Sequence, residues 1–475
     1  MTLFPSDDPN HLAHAIATAN RRNQRILLMP GQYLTKPGRG HQIPLNANGI
    51  KMTGSLLPLF STTIKRPDHG INPASTDNNF GVYFVPSKPT EAEWASIREW
   101  KLHQVTNPQT GVTTRFEYAV LVRGKIVVEN IELDCNMGRQ GLPADIPSHK
   151  IEHSAMLAFA GKKYQHPGDA RYQNKFIFTA FESVTLKNIR TTRGGYADDI
   201  WISRGYGRPN IGKVTIRKIH SENRVNNKRS TITFSGLAQR VGIAHATIDS
   251  LQAEETSSRW AELPGEPIDD TNRYSFWKLR NIVCETFDIA AKGKAIFLDA
   301  ANITATSSTH LYQAGGMIRN ASFTTLPHPT PLNRLNNLTF KNVSWKFQAF
   351  RNTKGNFIGI SPQPQYGEPC SATFIENTFK VAGDLITDDE TEFHSLIDTT
   401  YVPAAGNAVT LLFSKCSYDD RFGKEAKTFI AQAVGRGHYS FRIADFGGIP
   451  WERAIFIKPG ITPVTIWGKL IIHIP

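Results

Sequence analysis

The chain has 475 residues and a formal charge of +13, from 54 Lys+Arg against 41 Asp+Glu. Hydrophobic residues make up 40% and charged residues 20%, a composition that excludes a disordered or tail-like charged protein. No stretch reaches the roughly 18 consecutive apolar residues of a membrane-spanning helix, and the basic residues form no arginine-rich run, helix-turn-helix, RNP or zinc-finger pattern. The charge therefore points to a solvated surface facing an acidic polysaccharide or an anionic partner rather than nucleic acid or a membrane.

In chain order, the first residues carry Asp7 and Asp8 where a secretory leader would be apolar, as expected of a mature or cytoplasmically made chain. Asp8 as N-cap, Pro9 at the first helical position and Leu12, Ala15, Ile16 and Ala19 at helical spacing predict a helix ending near Asn20. An apolar strand from Arg25 closes on Pro30, Gly31 and Tyr33, and another runs from Ile50 to Gly54. Thr90 and Glu93 make a capping box that starts a second helix over 90–102, with Trp94 and Ile97 on its apolar side, read as an insertion. Cys135, Cys284, Cys370 and Cys416 are widely spaced with no CxxC pair, which indicates neither a zinc site nor a disulfide framework.

Beyond the helices a short motif repeats: two apolar residues in alternation, a polar residue, Asn, then an apolar residue. It places Asn130, Asn188, Asn281, Asn320, Asn342 and Asn377 in one slot, with Lys218 and His245 standing in for Asn in two copies. The spacing of about 22 to 39 residues, clustering near 30, is that of a solenoid. Alternation with period two makes each copy a half-buried strand. Stacked Asn amides at a fixed turn would satisfy one another and nearby backbone groups.

The starting helix, the strand ending at Pro30, Gly31 and Tyr33, and the repeated strand-turn with its Asn slot resemble the right-handed parallel β-helix of the pectate-lyase-like superfamily. The resemblance covers most of residues 8–420 and is one of architecture. It implies an all-β solenoid: a capping helix at 1–24, a parallel β-helix over 25–420 with the helical insertion, and a terminal β segment over 421–475 for capping or oligomer contacts. The family includes polysaccharide lyases, glycoside hydrolases, epimerases and bacteriophage tailspikes. Of the hydrolase signatures only a paired Asp198-Asp199 matches, and the Arg-x-Pro-x-x-Arg element of pectate lyases is absent.

Counting from the Asn slot, Asp199 follows Asn188 by 11 residues, Arg229 follows Lys218 by 11 and Glu255 follows His245 by 10. Rungs stack about 4.8 Å apart, so the expectation is an acid-base-acid column of Asp199, Arg229 and Glu255 on an exposed sheet face, with Ile202 level with Ile232. Asp198, Glu254 and Trp201 would join it as substrate contacts, Trp201 stacking on a sugar ring. Two carboxylates can serve hydrolysis, and Arg229 beside a base can serve uronate elimination; the competing reading is a structural ion-pair ladder.

Other features weigh less. Thr387 to Glu392 can offer oxygen ligands to calcium, against a solvated acidic loop, and no other cofactor or metal is expected. Arg204 to Pro209 reads as a turn, and His220 and His245 as structural repeat positions. Asn302, Asn320, Asn337 and Asn342 match glycosylation sequons, but the ladder slot predicts burial of Asn320 and Asn342. The functional expectation is a virion-borne spike, fibre or tailspike, homotrimeric, meeting virion or cell-surface proteins and binding or cleaving surface polysaccharide. The alternative is a secreted lyase or hydrolase for an acidic glycan.

Overall fold

The computed structural model describes residues 1–36, 42–71, 79–106, 113–143, 145–146, 151, 154–195, 197–203, 213–225, 231–235, 245–253, 275–289, 296–326, 334–349, 357–359, 370–383, 394–398, 408–420, 428–433, 438–443, 446–447, 455–457 and 464–468. The protein is mostly β, with parallel strands stacked into curled sheets in the manner of a solenoid. It forms two compact units, Met1–Ser275 and Phe276–Pro475.

In the first unit one stack runs Ile26–Leu28, Ile50–Thr53, Thr113–Asp134, Lys175–Thr192, Lys213–Glu222 and His245–Ala253, each strand parallel to the next. Side chains explain the register. Ile126 and Val128 are buried, level with Val184 and Leu186 and then with Val214 and Ile216. Past the motif's Asn the buried set becomes Ile131 and Leu133, so the alternation has slipped by one. The cause is at the slot itself: Asn130, Asn188 and Lys218 have φ of 61°, 51° and 56°, the left-handed region that turns a strand through a corner. Asn tolerates that conformation because its short amide bonds locally, and Asn188 Nδ2 donates to Asn130 Oδ1 at 2.7 Å.

A second parallel stack comprises Gln42–Leu45, Val82–Pro86, Leu157–Ala160, Ile200–Ser203 and Ile232–Ser235. Ile43, Phe84, Phe159 and Ile202 stand in line along it and are buried, with the Phe84 and Phe159 rings stacked at 5.4 Å. Each such side chain contributes about 1.5–3 kcal/mol by burial.

Helix α1, His11–Arg21, lays Leu12, Ile16 and Ala19 inward against the first strands. It starts later than the sequence suggested: Asp8 closes a turn by accepting from the Asn10 amide at 2.9 Å, and Asn10 is the N-cap residue. Helix α2, Glu91–Ser96, has the expected Thr90/Glu93 capping box but stops at Ile97, and Lys101–Thr106 is a strand. Arg123 anchors the start of that helix, pairing with Glu93 at 2.5 Å and donating to the Ser87 and Lys88 carbonyls.

Among the described residues the second unit repeats the corner at Asn281, Asn302, Asn320, Asn342, Glu376 and Lys415, with φ between 50° and 58°. Asn302 donates to Asn281 at 3.0 Å and Asn342 to Asn320 at 2.9 Å. Two residues before the corner, Ile318, Phe340, Phe374 and Phe413 align and are buried, and the three phenylalanines stack at 5.0–5.2 Å. Gly316 has φ of 100°, and a Cβ there would lie 2.3 Å from the Leu298 carbonyl oxygen, so this rung has room for glycine alone.

Two slot assignments and one expectation of burial are corrected. Glu376 takes the corner rather than Asn377, which is buried one residue later, accepts from Trp345 Nε1 at 3.0 Å and donates to the Phe340 and Ile375 carbonyls. His245 lies level with Lys213, at the start of its rung. Asn320 and Asn342 are exposed, since the amide ladder of this unit runs along the outer surface of the corner. Residues 204–209 and 387–392 lie outside the described residues.

Candidate functional site

Of the residues singled out by phase, the three that the structure describes, Asp198, Asp199 and Trp201, are buried rather than exposed. Asp198 and Asp199 are buried completely. Ile200 pairs with Ile232 and Ile202 with Phe234, a register two residues from the one expected, so Asp199 stands level with Thr231. The cation that meets Asp199 is Arg224, whose Nη1 lies 2.6 Å from Oδ2 with both side chains sealed from solvent. Thr191 donates to the same oxygen at 2.8 Å, while Arg224 also donates to Ser221 and Thr231 hydroxyls. Burial pushes the Asp199 carboxyl up, against the pull of Arg224 and Thr191. Nearby Arg66 is equally buried, donates to the Asn79 and Ser154 carbonyls at 2.6 and 2.5 Å, and is lowered to about 10 by desolvation. This polar knot ties several rungs together from inside. Trp201 is buried as well, stacked on Phe80 at 5.0 Å in a cluster with Tyr83 and Ala158. Arg229, Glu254 and Glu255 lie outside the described residues.

An outward column of carboxylate, guanidinium and imidazole groups occurs at another phase of the same rungs. Glu132, Arg190 and His220 are level with one another on three successive strands, each two residues beyond its corner residue. Alternation directs them outward because Ile131, Ile189 and Ile219 point in. Arg190 donates from Nε to Glu132 Oε2 at 2.8 Å, with its Nη2 bonded to the same oxygen. On the other side Arg190 Nη1 lies 3.5 Å from Glu222, and His220 Nε2 meets Glu222 at 3.1 Å. The guanidinium also stands 5.0 Å from the half-buried Phe60 ring.

Beside this column Arg193 grips Asp134 through Nε at 2.8 Å and through Nη2, which raises the Arg193 pKa above its usual range. Asn136 donates to Asp68 at 2.8 Å and holds that carboxyl below its ordinary value. The face thus presents carboxylate, guanidinium and imidazole groups at the rung spacing of about 4.8 Å. Fixed, planar, paired donors and acceptors of this kind match vicinal hydroxyls of a sugar. Among the described residues no group of three or more His, Cys, Asp or Glu is placed to hold a metal ion.

The column was within reach of the sequence. The signal is position +2 from the corner, where Glu132, Arg190 and His220 recur.

No family model matches the chain, and no curated protein matches it in sequence. Among solved structures, that of PfbA, a surface adhesin of Streptococcus pneumoniae, aligns over 98% of this chain and 90% of its own at 14% identity and a TM-score of 0.39. No helix among the described residues is long and apolar enough to cross a membrane.

Proposed function

We propose that this chain is a surface polysaccharide-binding protein whose parallel stacks close into a right-handed β-helix of the pectate-lyase-like kind, with α1 covering its first rung. The observation that carries the reading is the stacked outward column of Glu132, Arg190, His220 and Glu222. A rigid ladder of this sort repeats its hydrogen-bonding groups along one direction, as a polymer of sugars does. Pre-positioned groups lose little freedom on binding, which favours affinity. In this reading the protein is a homotrimeric spike or fibre carried on a virion or outside the cell, where it engages virion or cell-surface partners.

The His220–Glu222 contact favours a second reading, cleavage of the bound glycan. A carboxylate that orients an imidazole gives a base that can take a proton from substrate. Incubation with a panel of acidic and neutral polysaccharides separates the two. Unsaturated products identify a lyase and new reducing ends a hydrolase, while retention without cleavage identifies a binder. A protein that neither retains nor cleaves any member of the panel contradicts both readings. Light scattering tests the spike assignment, which requires a trimer.

A further inference from the structure

Charge and apolar exposure are both concentrated at the N-terminal end of the first unit. Residues 9–67, about one eighth of the chain, contain no Asp or Glu and eight Lys or Arg, and so carry +8 of the net +13. The same end holds Met1, Phe4, Leu27, Leu56, Leu57 and Leu59, half of the exposed large hydrophobic side chains among the described residues.

The local structure explains why the leucines face out. Where later rungs turn on a single residue, Asn130 or Asn188, this rung passes from Ile50–Thr53 to Thr62–Lys65 through a loop over 54–61. The base of the loop is pinned: the Ser55 amide donates to Thr62 Oγ1 at 3.1 Å, and the Gly31 amide to the Ser61 carbonyl at 2.8 Å. Ser55 Oγ donates to the Leu57 carbonyl at 3.1 Å and fixes the turn. Phe60 folds back against Arg190, while Leu56 and Leu57 are left 62% and 87% exposed. Phe4, 65% exposed, reaches the same edge, because it follows Leu3, whose carbonyl accepts from the Met29 amide at 2.9 Å.

Cations flank this edge on both sides. Arg25 immediately precedes Ile26–Leu28, Lys51 lies in Ile50–Thr53, and Arg21 and Arg22 stand at the end of α1. On the strands that leave the edge, Lys65 is level with Leu34, and Lys36 follows. Arg21, Arg22, Arg25 and Lys36 are exposed and form no ion pair among the described residues, while Lys51 meets Glu129 at 2.6 Å. Arg25 is four residues from Met29, about 13 Å along the strand.

A protruding apolar tip with unpaired cations beside it fits a bilayer with anionic headgroups. Leucines at a convex tip enter the acyl boundary without needing a shaped pocket, and Lys and Arg meet the negative surface. A nucleic acid or a glycan would match the charge and leave the leucines in water. Averaged over the chain, the charge shows no preference for a membrane; its placement does.

We propose that the N-terminal end of the first unit docks on an anionic lipid bilayer, with Leu56, Leu57 and Leu59 seated below the headgroups and Arg21, Arg22, Arg25 and Lys36 at their level. The contact is peripheral, and it is independent of the glycan-binding reading.

The test is flotation of the full chain with vesicles of phosphatidylcholine alone and of phosphatidylcholine and phosphatidylserine in equal parts. The mixed vesicles should bind the protein at least about tenfold more tightly, and salt at about 1 M should release it. Replacing Leu56→Ser and Leu57→Ser together, both at exposed positions, should weaken binding to the mixed vesicles about tenfold or more. Arg21→Gln and Arg22→Gln should each weaken it about fivefold, and thermal unfolding shows that each variant is folded. Equal binding to the two vesicles, or unchanged binding in both sets of variants, overturns the inference. So does no binding to either vesicle. Loss of an oligomer in the leucine variant, with no vesicle binding by the parent, also overturns it and makes the edge a contact between copies. The polysaccharide panel is read separately, so either proposal can fail alone.

Discussion

Asn188 donates its side-chain amide to Asn130 at 2.7 Å, and both residues occupy the left-handed region at the same corner of successive rungs. The amide bond and the backbone conformation are separable contributions. Asn188→Gly keeps the conformation and loses the bond, at a cost of about 1 kcal/mol. Asn188→Val loses the bond and places a β-branched residue at positive φ, at about 2–3 kcal/mol. Denaturant unfolding of the two variants should show Val well below Gly; equal stabilities would contradict the corner assignment.

The Asp199–Arg224 pair predicts an asymmetric response to mutation. Removing either partner strands a buried charge, so Arg224→Met or Asp199→Leu alone should destabilise by about 3–5 kcal/mol. Replacing both together should recover most of that loss, because apolar groups of similar volume need no partner. A double-mutant cycle followed by thermal unfolding measures the recovery, and additive single effects would count against the pair.

Glu93 links the capping box of α2 to Arg123, and that hydrogen bond is the largest influence holding its carboxyl below the ordinary 4.5. A depressed folded-state pKa gives stability that is fully present above about pH 4.5 and lost as pH falls through the folded value. Trp94 and Trp100 pack together at 6.0 Å beside this contact and report on the packing around α2. Their fluorescence should show Glu93→Gln less stable than the parent at pH 7, with the gap narrowing as pH falls below the ordinary 4.5 and Glu93 itself protonates. A gap independent of pH would assign the effect to packing instead.

Much of the scaffold is legible in the sequence because the corner imposes a local requirement. Only residues that accept positive φ suit it, and Asn at Asn130, Asn188, Asn281, Asn320 and Asn342 announces it, flanked by apolar residues on the −2 and +1 sides. The signal weakens where Lys218, Glu376 and Lys415 take the corner, since their side chains advertise no such backbone. That is why Asn377 drew the slot one residue too far. The site was harder to read. Asp199 and Trp201 carry suitable chemistry, but position 11 residues past a corner lies beyond a loop whose length varies from rung to rung, so phase is lost there. Glu132, Arg190 and His220 sit two residues past the corner on the strand itself, where phase survives stacking.

The polar column is the centre of the functional account, and equilibrium binding to a polysaccharide panel tests it most directly. Arg190 joins Glu132 to Glu222, so Arg190→Ala removes the donor shared by the column while the inward Ile189 and the rung register remain. The parent protein should bind at least one polysaccharide in the panel, and Arg190→Ala should bind it about tenfold or more weakly with unchanged thermal stability, the loss expected for a charge-assisted hydrogen bond to a sugar. Equal affinity of the two proteins, or no binding by the parent to any polysaccharide, would contradict the assignment.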